Sequence, residues 1–453
     1  LVTLLFDGVY MDADVWINGN HLGKHPYGYT AFSYDLTPHL LPAGEENLLA
    51  VQVKNEGKNS RWYSGSGIYR DVKLIITHPV HLPLWGIYIT TPSVTSEKAL
   101  IKTEVSAING SVEDKEVLVT IRMKNSANRE VAADEQKVAV KAGETRAVQM
   151  ETEVADPALW SPGDPNLYTL EVQIREGDKV LDSVEERFGI RSIAFSAEEG
   201  FLLNGEPVLL KGGCLHHDNG PLGSAAFRTA EFRRVKTMKE AGFNAIRTAH
   251  NPPSQHFLDA CDELGMLVMD ESFDQWQKPK NPQDYHRFFD EWWEKDIEAM
   301  VLRDRNHPSI IIWSVGNEIQ ERADSSGQAL YRMLSEKVKS LDPTRPVTQA
   351  VCGFWDNPGT IWDDTAPAFA QLDVHGYNYQ WQQYEPDHLK FPERIILGTE
   401  SVPKEAFENW QMVEKQPYVI GDFVWTGMDY LGESGIGHTW LEGDRAVFAP
   451  PWP

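Results

Sequence analysis

Three things are scarce in this sequence. It has 3 cysteines in 453 residues, Cys214, Cys261 and Cys352, an odd number and widely scattered. That excludes a disulfide framework and a metal-knuckle spacing, and leaves buried thiols as the expectation. Positive charge is short as well: 42 Lys and Arg stand against 67 Asp and Glu, a formal net charge of −25 at pH 7. Such a field repels polyanions, so nucleic acid and anionic membrane surfaces are excluded as partners and a neutral ligand fits better. There is also no run of about 18 apolar residues, so no membrane-spanning helix is expected. The opening LVTLLFDGVYMDADVWING alternates like a strand and lacks the basic, apolar, small-residue order of a secretion signal. Because Leu1 already lies inside strand-like sequence, the chain is expected to be a fragment, and its compartment, periplasmic or cytoplasmic, stays open.

Aromatic residues, by contrast, are plentiful: 15 Trp, 15 Tyr and 18 Phe. Most belong in cores, but such rings also form the flat faces on which sugars or bases stack. A single core stops growing at roughly 250 to 300 residues, so this chain is expected to divide into domains.

Residues 1–80 read as short alternating strands with turn signals, Asn18-Gly19 among them, which predicts part of a β-sandwich. Residues 81–192 continue in strands (ALIKTEVSAI, EVLVTIRMKN, RAVQMETEV, LYTLEVQIRE, VLDSVEERFG), which suits an immunoglobulin-like sandwich. From 193 to 453 the rhythm changes. Apolar runs (VLLKGG, NAIRTA, MLVMDE, IIIWSV, PVTQAV, QLDVHGY, RIILGTE, VIGDFVW) alternate with amphipathic stretches such as RTAEFRRVKTMKEAG, SQHFLDACDELG and GQALYRMLSEKVKSLD. Eight buried parallel strands with helices between them predict an α/β TIM barrel. The fold class is therefore multidomain, two β-sandwiches and a barrel.

In a barrel the C-terminal strand ends open into the cleft that carries the chemistry. IIIWSVGNE ends strand four in Glu318, and RIILGTES ends strand seven in Glu400. Either glutamate alone is as readily a buried, salt-bridged structural acid. Two of them at strand tips nearly across a barrel can flank one bound molecule, and paired carboxylates invite glycoside hydrolysis. His216-His217 and His250 follow strands one and two. Adjacent strand residues point to opposite faces and no HExxH spacing accompanies them, so hydrogen bonding to hydroxyls is favoured over metal ligation. No metal and no cofactor are expected. Asp270 and Glu271 offer a second acid pair, with pairing to an arginine such as Arg247 as the plainer alternative.

The motifs WSVGNE and LGTES resemble those of the family 2 glycoside hydrolases, which include β-galactosidases, β-glucuronidases and β-mannosidases. VWINGNHLGKHPYGYTAFSYDLT and RWYSGSGIYRDV resemble that family's jelly-roll-like, sugar-binding domain, and LYTLEVQI and RFGIR its immunoglobulin-like domain. FLLNGEPVLLKGGCLHHD, AGFNAIRTAHNPP, LGMLVMDESFD, RDRNHPSIIIWSVGNE and GDFVWTGMDYLGE resemble its barrel. The likeness implies Glu318 as general acid/base, Glu400 as nucleophile, and Tyr379 as the tyrosine bonded to the nucleophile. It implies His216 and His250 as pocket residues, with His217, Asp218 and Arg247 as orienting partners, and Trp425 as the platform under the sugar. Asn317 suits a bond to the sugar 2-hydroxyl, and Arg61 and Trp62 lie on a sandwich loop expected to reach the cleft.

Two departures bear on the substrate. DESFDQWQ carries Trp276 where some galactosidases of the family have a magnesium-binding histidine, so no divalent ion is expected. The Asn-x-Lys signature by which glucuronidases neutralise a sugar carboxylate is missing from residues 431–453. Loop 272–290 is expected to wall the cleft. The resulting expectation is a retaining exo-β-glycosidase acting on terminal β-galactosides of a glycoside or oligosaccharide. The alternatives are a β-glucuronidase, a β-mannosidase or a non-catalytic carbohydrate-binding protein; the oligomeric state, a homo-oligomer included, is open.

Overall fold

The computed structural model describes residues 1–428. Eight parallel strands close a barrel in the C-terminal part: β1 (Leu210–Leu215), β2 (Ala245–Thr248), β3 (Leu267–Glu271), β4 (Ile310–Asn317), β5 (Val347–Val351), β6 (His375–Asn378), β7 (Ile396–Ser401) and β8 (Val419–Val424). They are buried almost throughout, as strands covered on both faces must be, and their β-branched runs suit that environment. β8 closes on β1 in parallel, with Leu210 opposite Gly421.

The connections carry helices α1 (Arg228–Glu240), α2 (Gln255–Leu264), α3 (His286–Asp304), α4 (Ser325–Leu341), α5 (Ala366–Phe369), α6 (Tyr384–Lys390) and α7 (Ala406–Lys415). α2 shows why the sequence breaks where it does. Ser254 caps it by accepting from Phe257 N at 3.2 Å, and Gly265, in the left-handed region at φ 71°, ends it with its N–H on Cys261 O. The loop expected over 272–290 is shorter than that, because its last residues open α3 at His286. The apolar positions Phe289, Ile297, Met300 and Val301 bury one side of that helix, a spacing that continues past the predicted loop. Cys214, Cys261 and Cys352 are free and buried.

Ahead of the barrel lie the sandwiches. In the first, Val2–Phe6 pairs antiparallel with Phe32–Asp35 and Val72–Ile76, and Ala13–Ile17 pairs with Asn20–His25 and Leu49–Val53. The Asn18-Gly19 turn joins Ile17 to Asn20 with both turn residues at positive φ, 50° and 80°, the twist a two-residue hairpin favours. The second is built from two four-stranded sheets that face each other across Val105, Val119, Ile121, Val172 and Ile174. Its strand Glu130–Val140 had no counterpart among the predicted runs, since most of its side chains are exposed and the alternation is faint. Both sandwiches are bonded to the barrel. Arg303 Nη1 donates to Asp7 Oδ1 at 2.9 Å, Arg70 Nη2 to Pro252 O at 2.7 Å, and Arg191 to Pro308 O and Ile310 O at 2.5 and 2.6 Å.

Candidate active site

At the C-terminal end of the barrel the strand tips supply polar side chains that the strand interiors lack. Arg247, on β2, is wholly buried, and a buried guanidinium requires acceptors on every side. Its Nη1 donates to Glu400 Oε1 at 2.7 Å and to Thr399 O at 3.1 Å. Its Nη2 donates to both oxygens of Glu271 at 2.8 Å and to Asn317 Oδ1 at 2.9 Å. Glu271 is therefore the arginine partner that the plainer alternative envisaged. Asp270 turns the other way, toward Asp304, and burial with that second carboxyl pushes its pKa up.

Glu318 follows β4 with φ 43° and Tyr379 follows β6 with φ 57°. Both non-glycine residues sit in the left-handed region, a conformation that concentrates at functional sites because surrounding contacts must enforce it. Here the contacts are Glu318 N on Ala350 O and Tyr379 N on Glu400 O, each 2.8 Å. Asn378, at the tip of β6 and opposite Glu400 in the ladder, donates from Nδ2 to Glu318 Oε1 and Asn317 Oδ1, both at 3.2 Å. A continuous hydrogen-bond path thus runs Glu318, Asn378, Asn317, Arg247, Glu400. Glu400 is pushed up to about 8, by burial first and then by the charge of Glu318, against the opposing pull of Arg247 and the hydroxyl of Tyr379. The Tyr379 hydroxyl is itself raised by burial and by Glu400.

Aromatic rings wall the cleft. Trp62, from the first sandwich, stacks on His216 with centroids 4.7 Å apart and planes 14° from parallel. Trp425 stacks on His250 at 5.2 Å and 4°. His216 Nδ1 donates to Ala249 O at 2.7 Å, and burial drops its pKa to about 3, so Nε2 carries a lone pair; among the described residues that atom has no hydrogen-bond partner. His250 Nδ1 lies 2.8 Å from Glu271 Oε1 and 3.2 Å from Arg247 Nη2, with Nε2 3.7 Å from Glu400 Oε1. His216 therefore presents an acceptor nitrogen at the end of the barrel.

The structure does not bring every predicted residue to this point. His217 faces the sandwich, with Nε2 on Ser64 O at 3.1 Å and its ring edge-on to Tyr29 and Tyr69. Asp218 is buried behind β1, where its carbonyl accepts from Arg234 Nη1 at 3.0 Å. Asn317 gives an amide hydrogen to Asp274 Oδ1 at 2.9 Å, which leaves one amide hydrogen for a ligand. Arg61 reaches across from the sandwich and grips Asp274 at 2.9 and 2.6 Å. Lys280 joins them, donating to Asp274 Oδ1 at 2.7 Å and to Asn317 O at 2.9 Å. Trp276, buried, donates to Val315 O at 2.9 Å. Asn378, Asp274 and Lys280 were not singled out from the sequence as site residues. Asn378 ends a buried strand just as Glu318 follows β4 and Glu400 lies near the end of β7, so the rule that found those two would have found it. No cluster of three or more His, Cys, Asp or Glu side chains suited to a metal occurs among the described residues. The missing Asn-x-Lys signature concerns residues 431–453, outside the described residues.

A barrel with two glutamates and stacked aromatics at its open end is an arrangement that suits glycoside hydrolysis. Residues 196–436 match the model of the glycosyl hydrolases family 2 TIM barrel domain, and residues 82–191 match that of glycosyl hydrolases family 2. The chain belongs to glycoside hydrolase family 2. It is 36% identical to Beta-galactosidase BoGH2A of Bacteroides ovatus over 94% of this chain and 58% of that protein, so it spans little more than half of that relative's length. A family 2 member from Bacteroides cellulosilyticus has the same fold at TM-score 0.92 and 47% identity, covering 95% of this chain and 54% of that one. A Bacteroides uniformis beta-glucuronidase superposes at TM-score 0.83 with 28% identity, over 95% of this chain and 57% of that one.

Proposed function

We propose that the protein is a retaining exo-β-glycosidase that releases terminal β-galactosyl groups by double displacement. The observation that carries this reading is the hydrogen-bond path joining Glu318 to Glu400 through Asn378, Asn317 and Arg247. Arg247 and Tyr379 favour the anion on Glu400, the form that attacks, and Glu318 takes the part of the acid. Glu400 then attacks the anomeric carbon while Glu318 protonates the departing oxygen. Water, deprotonated by Glu318, next cleaves the glycosyl-enzyme with net retention, which calls for a carboxyl separation of about 5 to 5.5 Å. The free amide hydrogen of Asn317 suits the sugar 2-hydroxyl, and the acceptor nitrogen of His216 and the Nε2 of His250 suit other hydroxyls. Trp425 and Trp62 provide apolar faces for the ring.

A β-glucuronidase is the second reading. Arg61 and Lys280 bring two cations beside Asn317 that could meet a sugar carboxylate, although Asp274 already engages both. Initial rates on p-nitrophenyl β-galactoside, β-glucuronide, β-mannoside and β-glucoside, with and without chelator, decide between them. Fastest turnover of the galactoside supports the first reading, fastest turnover of the glucuronide the second, and no turnover of any points to a binding protein. Glu318→Ala rescued by azide should yield the β-galactosyl azide; an α product overturns retention, and full turnover by Glu400→Ala overturns the nucleophile.

A further inference from the structure

At the opposite end of the barrel, where β4 and β5 begin, the second sandwich leaves a cleft of about 290 Å³. Its wall includes Arg191, Arg305 and Arg345, with Thr90, Ser192 and Asn306 beside them, and none of its lining residues is acidic. In a chain of net charge −25 that is an unusual concentration of one sign.

The carboxylates behind the wall do not cancel it. Arg345 is paired with Asp342 at 2.6 Å. Arg191 spends its described bonds on two carbonyls, Pro308 O and Ile310 O. Arg305 donates to Leu341 O at 3.1 Å and lies over the Tyr88 ring at 4.2 Å; its buried Nε has no hydrogen-bond partner among the described residues. Of the other acids that act on these arginines, Asp262 pairs with His307 at 2.6 Å, Glu104 accepts from Gln149, and Glu186 accepts from Asn306 at 3.1 Å while burial raises its pKa, which favours the neutral form. Arg191, for its part, is pulled down to about 9 by burial and by the charge of Arg345. Like charges gathered on a wall with no acidic lining residue suit an anion.

We propose that this cleft binds a small phosphate or sulfate monoester, with its oxyanion seated among Arg191, Arg305 and Arg345. Planar guanidinium groups match tetrahedral oxyanions through paired N–H donors, and the threonine and serine hydroxyls add neutral donors. The volume lies at the lower end of the range of small-molecule sites, roughly 300 to 1,000 Å³, and leaves room for an organic group on the oxyanion. Arg191 and Arg345 both donate to Ile310 O, the first residue of β4, so the ligand would brace the sandwich against the base of the strand that ends beside Glu318.

Titration of the protein with glycerol 3-phosphate, inorganic phosphate and inorganic sulfate, followed by calorimetry and thermal melting, tests this. Glycerol and sodium chloride at matched ionic strength serve as controls. Saturable binding of glycerol 3-phosphate with Kd on the order of 0.1 to 1 mM is expected, with a rise in Tm that the controls do not give. Binding confined to glycerol 3-phosphate assigns the cleft to an ester; binding shared with phosphate or sulfate assigns it to the oxyanion itself. Thr90→Glu, which places a carboxylate in the cleft, and Arg305→Gln should each weaken binding about tenfold or more while glycosidase kcat/KM stays unchanged. No binding above the sodium chloride control, or equal binding by wild type and both variants, overturns the proposal.

Discussion

Arg247 Nη1 lies 2.7 Å from Glu400 Oε1, and the same guanidinium holds Glu271 and Asn317. One buried cation therefore ties the tips of β3, β4 and β7 together and favours the anion on Glu400 against the opposing effect of burial. Arg247→Lys keeps the charge but loses the fork, so kcat/KM for the best substrate should fall by about a hundredfold or more. Arg247→Met leaves Glu271 and Glu400 buried without their cation, and removing one partner of such a group costs about 3 to 5 kcal/mol. Its Tm should drop well below that of wild type. Unchanged melting together with unchanged rates would show that the guanidinium is dispensable.

The hydroxyl of Tyr379 is the second group that favours the ionised form of Glu400. With Tyr379→Phe that bond is gone, so the carboxyl needs a higher pH to ionise. The acidic limb of the kcat/KM profile should move upward in pH, and kcat should fall by roughly tenfold to a hundredfold at the wild-type optimum. A profile whose limbs stay put while kcat falls would assign the tyrosine to substrate contact instead.

Trp62 belongs to the first sandwich yet stacks on His216 of the barrel, 4.7 Å between centroids. A wall that holds the sugar but does not react should act on binding more than on chemistry. Trp62→Ala is therefore expected to raise KM about tenfold and to change kcat by less, and Trp62→Phe should recover much of the loss. Equal falls in kcat and kcat/KM, with KM unchanged, would contradict a binding role.

These relationships differ in how far the sequence announced them. The eight barrel strands were legible because each is a buried apolar run closed by polar or glycine residues, and the same pattern exposed Glu318 and Glu400. The partner of Arg247 could be guessed, because a buried acid such as Glu271 needs a cation. Alternation predicts that adjacent His216 and His217 face apart, but which of the two turns inward depends on register, and register is set by the neighbouring strands. The Arg61, Asp274 and Lys280 cluster joins residues 61, 274 and 280 from two domains, and no local pattern encodes a contact over that separation. Strand Glu130–Val140 escaped for the opposite reason: its solvent-facing side chains carry little periodic signal.

Asp296, on α3, is buried where the first sandwich meets the barrel. Thr30 Oγ1 donates to its Oδ1 at 2.6 Å, Tyr285 donates to its Oδ2, and His25 Nε2 stands 3.7 Å away. Burial raises its pKa to about 7, with those two hydroxyls and Lys295 opposing, while burial lowers His25 to about 3, so no imidazolium compensates it near neutrality. A carboxyl whose folded pKa lies above its unfolded value favours folding in full below about 3.8, and that contribution is lost as pH rises to about 7. His25 works in the other direction, but it is common to wild type and variant and cancels in their difference. Asp296→Asn offers an amide oxygen to one hydroxyl and an amide hydrogen to the other, and it does not ionise. Its stability relative to wild type should therefore climb by a few kcal/mol, on the order of 2 to 4, between about pH 4 and pH 7, then level off. Chemical denaturation of both proteins across that range measures it, and a difference that stays flat would mean that Asp296 is ionised in the folded state throughout.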